Sequence, residues 1–87
     1  MQKYIVEFLG TLFLMVVILY TGNYLAVGIT IAILVFLGGP ISGGAFNPAV
    51  TLAFLASKKI STYDVLPYII AQIAGALTAV YLVKLLK

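Results

Sequence analysis

Three stretches of the chain are almost unbroken apolar runs, and a shorter fourth lies between the second and third. Tyr4 to Tyr20 carries one charge, Glu7, across 17 residues and ends at the turn-like Thr21-Gly22-Asn23. Tyr24 to Leu37 continues through Gly38-Gly39-Pro40-Ile41, where glycine and proline are expected to break the helix near the far membrane face. Val65 to Val83 runs for 19 residues with one polar amide, Gln72. A membrane-crossing helix needs about 20 mostly apolar residues. The pattern therefore predicts spans at 4–20, 24–41 and 65–83.

Composition sharpens this picture. Of 87 residues, 64% are hydrophobic and 8% charged, with a mean hydropathy of +1.25. A soluble domain is about half apolar and about a quarter charged. Five lysines, two acids and no arginine cannot solvate a water-exposed surface, so a soluble enzyme is excluded. The net charge of +3 comes from scattered lysines that form no patch for nucleic acid. With no Cys and no His, there is neither a disulfide framework nor a soft-metal site, and no cofactor or metal is expected. Lys3 and the first apolar run have the general shape of a signal peptide, but no small-x-small cleavage site follows and Glu7 interrupts the core. The six tyrosines fall mostly near span ends, as an interfacial belt would.

The informative segment follows the second span. Ser42-Gly43-Gly44-Ala45-Phe46 reads as small and flexible, and Asn47-Pro48 then opens a helix over 48–57. Asn is a favoured N-cap and Pro a favoured first helical residue. Ten residues reach about 15 Å, roughly half of the hydrocarbon core. Lys58 and Lys59 close this segment where the helix dipole favours cations. It can enter the membrane to the midplane and return, with Asn47 offering an amide donor and Gly43–Asn47 a run of backbone carbonyls. The other reading of Asn-Pro is simply the start of a short interfacial helix. At the third span, Ser61 and Asp64 are spaced as a capping box. Small residues at Ala71, Gly75 and Ala79, and at Ala26, Gly28 and Ala32, mark helix-packing seams.

Ile41-Ser42-Gly43-Gly44-Ala45-Phe46-Asn47-Pro48-Ala49-Val50-Thr51 resembles the signature loop of the major intrinsic proteins, the aquaporins and aquaglyceroporins. Glu7-Phe8-Leu9-Gly10-Thr11 resembles the opening of the family's first helix. Gly28 stands where the second helix has its close-crossing glycine, and Tyr68-Ile69-Ile70-Ala71-Gln72 with Gly75-Ala76 resembles the third helix. The resemblance covers nearly all of 1–87 as a single unit. It implies an all-α integral membrane protein of three transmembrane helices and one re-entrant half-helix, half of an aquaporin-like fold. It also implies that Glu7 accepts hydrogen bonds from the re-entrant loop and that Gln72 braces it. The other reading of Glu7 is proton coupling, since a membrane carboxylate is functional by default.

The family's pores use two inverted repeats, and this chain holds one. The expected partner is a second copy in the opposite orientation, possible because Lys3, Lys58 and Lys59 on one side face Lys84 and Lys87 on the other, a weak bias. Family channels gather as tetramers of complete pores, which here implies four antiparallel dimers, an octamer. Residue matching places Asn47, Pro48 and Ala49 at the pore centre, and Val27, Val35, Gly44 and Val50 in the filter. The family's arginine, at the Val50 position of one repeat, is missing here. The implied function is passive passage of water and small neutral solutes such as glycerol, with an apolar constriction. The rival is a non-conducting fragment or a subunit requiring a different partner half. A proton-coupled transporter ranks third.

Overall fold

The computed structural model describes all of residues 1–87 and contains four helices and no strand. α1 (Gln2–Thr21), α2 (Tyr24–Ser42) and α4 (Thr62–Leu86) are each long and apolar enough to cross a membrane, and α3 (Pro48–Ala56) is not. α4 rises about 37 Å over its 25 residues, matching the 39 Å length of the molecule. The chain is an integral multi-pass membrane protein.

Its surface fits that solvent. Phe13, Phe36, Leu52, Leu66 and Leu85 are all exposed, while six of the 15 buried residues are polar or charged. In lipid, apolar side chains gain nothing by avoiding their surroundings, whereas polar groups must find each other. The interior is accordingly built from Glu7, Thr11, Ser42, Thr51, Asp64 and Gln72 together with glycine and alanine.

α1 lies in the middle, packed against α4 on one side and α2 on the other. The α1–α4 contact is close because Gly75 has no side chain. A Cβ there would stand 2.5 Å from the Phe8 carbonyl oxygen and 3.1 Å from the Leu12 nitrogen. Ala79, one turn on, is wholly buried in the same seam, and Ala71 is half-buried. Gly28 differs from the expected seam residue: nothing in the chain lies within 4 Å of a Cβ built on it. That part of α2 packs against no other element of the chain.

The helix ends refine these expectations. α2 stops at Ser42, one residue beyond the expected end at 41, with Pro40 in its last turn. Proline normally clashes with the Cβ of the preceding residue in helical conformation, and Gly39 has none. The helix stops at Gly43, whose φ of +89° is left-handed and whose N–H returns to the Gly39 carbonyl at 2.9 Å. α3 ends at Ala56, with Ser57 as its cap rather than its last helical residue. Ser61 caps α4 through the Tyr63 N–H, yet Asp64 does not complete a capping box. Its carboxylate turns to α1, accepting from Lys3 Nζ at 2.8 Å and Tyr4 Oη at 2.7 Å. An ionised partner on α1 outcompetes a backbone N–H for that carboxylate. α4 also starts three residues earlier and ends three later than the apolar run alone implies.

The ion pair of Lys3 with Asp64 puts the start of α1 beside the start of α4. At the other end Lys87 Nζ lies 5.3 Å from the ring centre of Tyr20, so the end of α4 meets the end of α1.

Glycine at position 75 controls the central seam. Gly75→Leu is expected to lower stability by about 1–3 kcal/mol by forcing α1 from α4. Gly28→Leu in the chain as a detergent-solubilised monomer is expected to leave stability unchanged or slightly raised. Thermal unfolding followed by circular dichroism distinguishes the two.

Candidate functional site

Between α2 and α3 the chain reverses inside the membrane, and one carboxylate holds the reversal. Glu7 Oε2 accepts from Ser42 Oγ at 2.7 Å and from the Ala45 N–H at 3.2 Å. Glu7 Oε1 accepts from the Phe46 N–H at 2.7 Å and from Gln72 Nε2 at 2.8 Å. Four donors thus meet the four lone-pair directions of a carboxylate. The side chain is fully buried, and a buried carboxylate persists only with such partners.

The brace extends through α4. Gln72 also donates to Thr51 Oγ1 at 2.7 Å, and Thr51 donates to the Asn47 carbonyl at 2.9 Å. Tyr68 Oη donates to the Ser42 carbonyl at 2.7 Å. Tyr68 is 2% exposed, so it is no belt residue: its ring meets that of Tyr4 edge-on at 5.9 Å, and its hydroxyl serves the loop. The loop itself is packed and hydrogen-bonded. Gly44, Ala45 and Phe46 are buried, and Gly44 bonds Ser42 Oγ at 3.2 Å. Phe46 adopts a left-handed φ of 54° that a phenylalanine rarely accepts. Its ring compensates by filling the slot between Gly10 of α1 and Gly38 of α2, where any side chain would collide with it.

This framework presents Asn47 at the tip. Asn47 Oδ1 caps α3 by accepting from the Ala49 N–H at 2.7 Å, and Pro48 is the first helical residue. The Asn47 NH2 bonds nothing in the chain, and Asn47, Pro48 and Ala49 are all exposed. The carbonyls of residues 43–46 likewise accept no hydrogen bond within the chain. Residues 44–47 form one side of a groove of about 270 Å³ with Leu14 of α1, Ile31 and Val35 of α2, and Val50. Leu14 and Ile31 lie well inside their helices, so the tip stands level with the middle of α1 and α2. α3 then leads back out over about 14 Å.

Of the sequence-derived residues, Val35, Gly44, Asn47 and Val50 share this groove. Val27 does not; it is half-buried two turns away along α2, toward the α1–α2 turn. Glu7 and Gln72 lie behind the loop, and Gly28 faces outward. The groove is mostly apolar, and its Gly44–Asn47 side carries backbone carbonyls and an Asn47 amide that make no hydrogen bond within the chain, beside the start of α3. Such a lining suits a neutral molecule that both donates and accepts hydrogen bonds, and disfavours cations. No three metal-ligating side chains come together in the chain.

A family model described as "Major intrinsic protein" matches residues 20–87. The chain belongs to that family. Among curated relatives of this major intrinsic protein, "Glycerol uptake facilitator protein-like 6" of Lactiplantibacillus plantarum is 44% identical over 93 positions, covering 97% of the chain and 43% of the relative. "Aquaporin Z" of Photorhabdus laumondii is 42% identical over 69% of the chain and 26% of itself. "Nodulin-26" of Glycine max is 33% identical over 99% of the chain and 37% of itself. The chain therefore spans less than half the length of the relatives it matches. No solved structure matches it.

Sequence reasoning missed Ser42, Thr51, Tyr68 and Phe46 as parts of this major intrinsic protein's site. Tyr68 carried a usable signal, since it stands one turn before Gln72 on the same face of α4, whereas Thr51 on α3 gains its meaning only once α3 and α4 are known to touch. Glu7→Gln replaces two acceptors by one acceptor and one donor that faces N–H and O–H groups. It is expected to cost at least about 3 kcal/mol. Tyr68→Phe, which orphans only the Ser42 carbonyl, is expected to cost about 1–2 kcal/mol. Denaturant titration in detergent micelles measures both.

Proposed function

We propose that the chain is one half of a passive channel for water and small neutral solutes such as glycerol, with an inverted second copy supplying the other half. The observation that carries this reading is the one-sided groove. Gly44–Asn47 and Val50 line one wall, the Asn47 NH2 has no partner in the chain, and Pro48 and Ala49 are exposed at the start of α3. A second tip entering from the other leaflet would close the groove and oppose the two helix dipoles, giving a symmetric barrier to cations.

The relatives' names support the solute class, and their greater length supports a missing half. Charge supports either insertion. The end holding Lys3, Lys58 and Lys59 also holds Asp64, which engages Lys3, while Lys84 and Lys87 lie at the other end. A difference of one lysine is a weak topological signal. Four such pairs would make an octamer. In this arrangement Val27, Val35, Gly44 and Val50 form an apolar filter. Without arginine in the chain, selectivity falls to Asn47, the loop carbonyls and the dipoles.

Stopped-flow osmotic swelling of proteoliposomes holding only this chain tests the function. Water flux is expected above the empty-vesicle rate and is expected to fall at least tenfold in Asn47→Asp, which keeps the capping oxygen but removes the amide donor. No flux from folded protein would favour the non-conducting half. Val50→Arg is expected to slow glycerol more than water, because it narrows the filter and adds a fixed cation. Reporters fused at the C-terminus are expected on both membrane faces; a single orientation refutes the inverted homodimer.

A further inference from the structure

The buried brace satisfies nearly all its polar atoms, and two exceptions stand together. Gln72 uses both amide protons, on Glu7 and Thr51, which leaves its carbonyl oxygen without a donor. Gln72 is 1% exposed. The other orphan is the hydroxyl of Thr11, a residue 5% exposed and one turn beyond Glu7. A threonine inside a helix has a ready partner in the carbonyl four residues earlier. Thr21, Thr30, Thr51 and Thr78 all donate to it, at 2.7–2.9 Å. Thr11 alone among the helix-interior threonines makes no such bond.

Thr11 and Gln72 line the same cavity, about 260 Å³, between α1 and α4 beneath Pro48. It is separate from the groove described above and shares with it only Phe46 and Asn47. A buried acceptor and a buried hydroxyl without partners are both destabilising. One small molecule with a donor and an acceptor resolves both.

We propose that a single structural water occupies the inner end of this cavity, accepting from the Thr11 hydroxyl and donating to Gln72 Oε1. Two protein partners are within the usual range for buried water. Both orphan atoms are enclosed by protein, so the occupant is a water rather than a larger hydroxylated solute. The water completes the hydrogen bonding of the amide that joins Glu7 to Thr51, and so supports the loop from behind. It lies off the proposed pore, and a non-conducting half would hold it equally.

The test compares Thr11→Val, which keeps the shape and removes the hydroxyl, with Thr11→Ser, which keeps the hydroxyl. Melting temperatures are measured on the full chain in detergent micelles. A bridging water predicts that Thr11→Val lowers the melting temperature by about 4 °C or more, because the water loses its donor, while Thr11→Ser stays within about 2 °C of the parent. If Thr11→Val is as stable as the parent or more so, the hydroxyl is a true orphan and the proposal fails. It fails too if Thr11→Ser falls as far as Thr11→Val, since the methyl then carries the effect. NMR supplies the second arm: a long-lived water is expected to show cross-relaxation with the Thr11 methyl and the Gln72 side-chain amide. Destabilisation by Thr11→Val with no such water signal would assign the partner to another chain and overturn the proposal.

Discussion

A carboxylate buried in a membrane helix and two consecutive backbone N–H groups of a loop depend on each other here. Glu7 could not stay buried without the donors at Ala45 and Phe46, and those N–H groups could not stay at membrane depth without an acceptor. Their pairing brings irregular backbone inside the bilayer, and the remaining features follow from it. Ser42 and Gln72 saturate the same carboxylate, Thr51 ties the start of α3 to the brace, and Tyr68 fixes the residue just before the reversal. The loop's N–H side is thereby committed to protein. Its carbonyls are left free for the groove.

Packing supports the same reversal by means suited to lipid. Gly10 and Gly38 give up side chains so that the Phe46 ring can lie between α1 and α2, and that ring holds a left-handed phenylalanine in place. Gly75 gives up its side chain so that α4 can approach α1 closely enough for Gln72 to reach Glu7. Small residues thus serve hydrogen-bond geometry as well as van der Waals contact, the combination expected where the solvent offers no hydrophobic drive to helix association. α2 is the exception. Most of its surface, including Gly28, meets nothing in the chain.

How much of this was readable in advance varied by residue. The apolar runs announced α1, α2 and α4 because lipid imposes a length on any spanning helix. Asn47-Pro48 announced the start of α3 because capping is local chemistry. Glu7 announced that it needed partners, since a lone carboxylate in an apolar run is otherwise too costly. Where such arguments went astray, a distant group had intervened. Asp64 left its capping role for Lys3 and Tyr4, sixty and more positions away in sequence. Tyr68, near the end of a span in sequence, was drawn inward by the Ser42 carbonyl.

The sequence by itself determined a membrane protein of three spanning helices with a half-helix opened by Asn47, because hydrophobic length and helix capping act over a few residues. Only the tertiary structure decided that the small segment at 42–46 is packed and hydrogen-bonded, with all but Gly43 buried. It alone decided that Val35, Gly44, Asn47 and Val50 share one groove, and that Thr11 and Gln72, each with one unpaired polar atom, line one cavity. Those outcomes depend on where α1 and α4 cross, and that crossing is fixed by contacts between residues that are far apart along the chain and identifiable as neighbours only once the helices have packed.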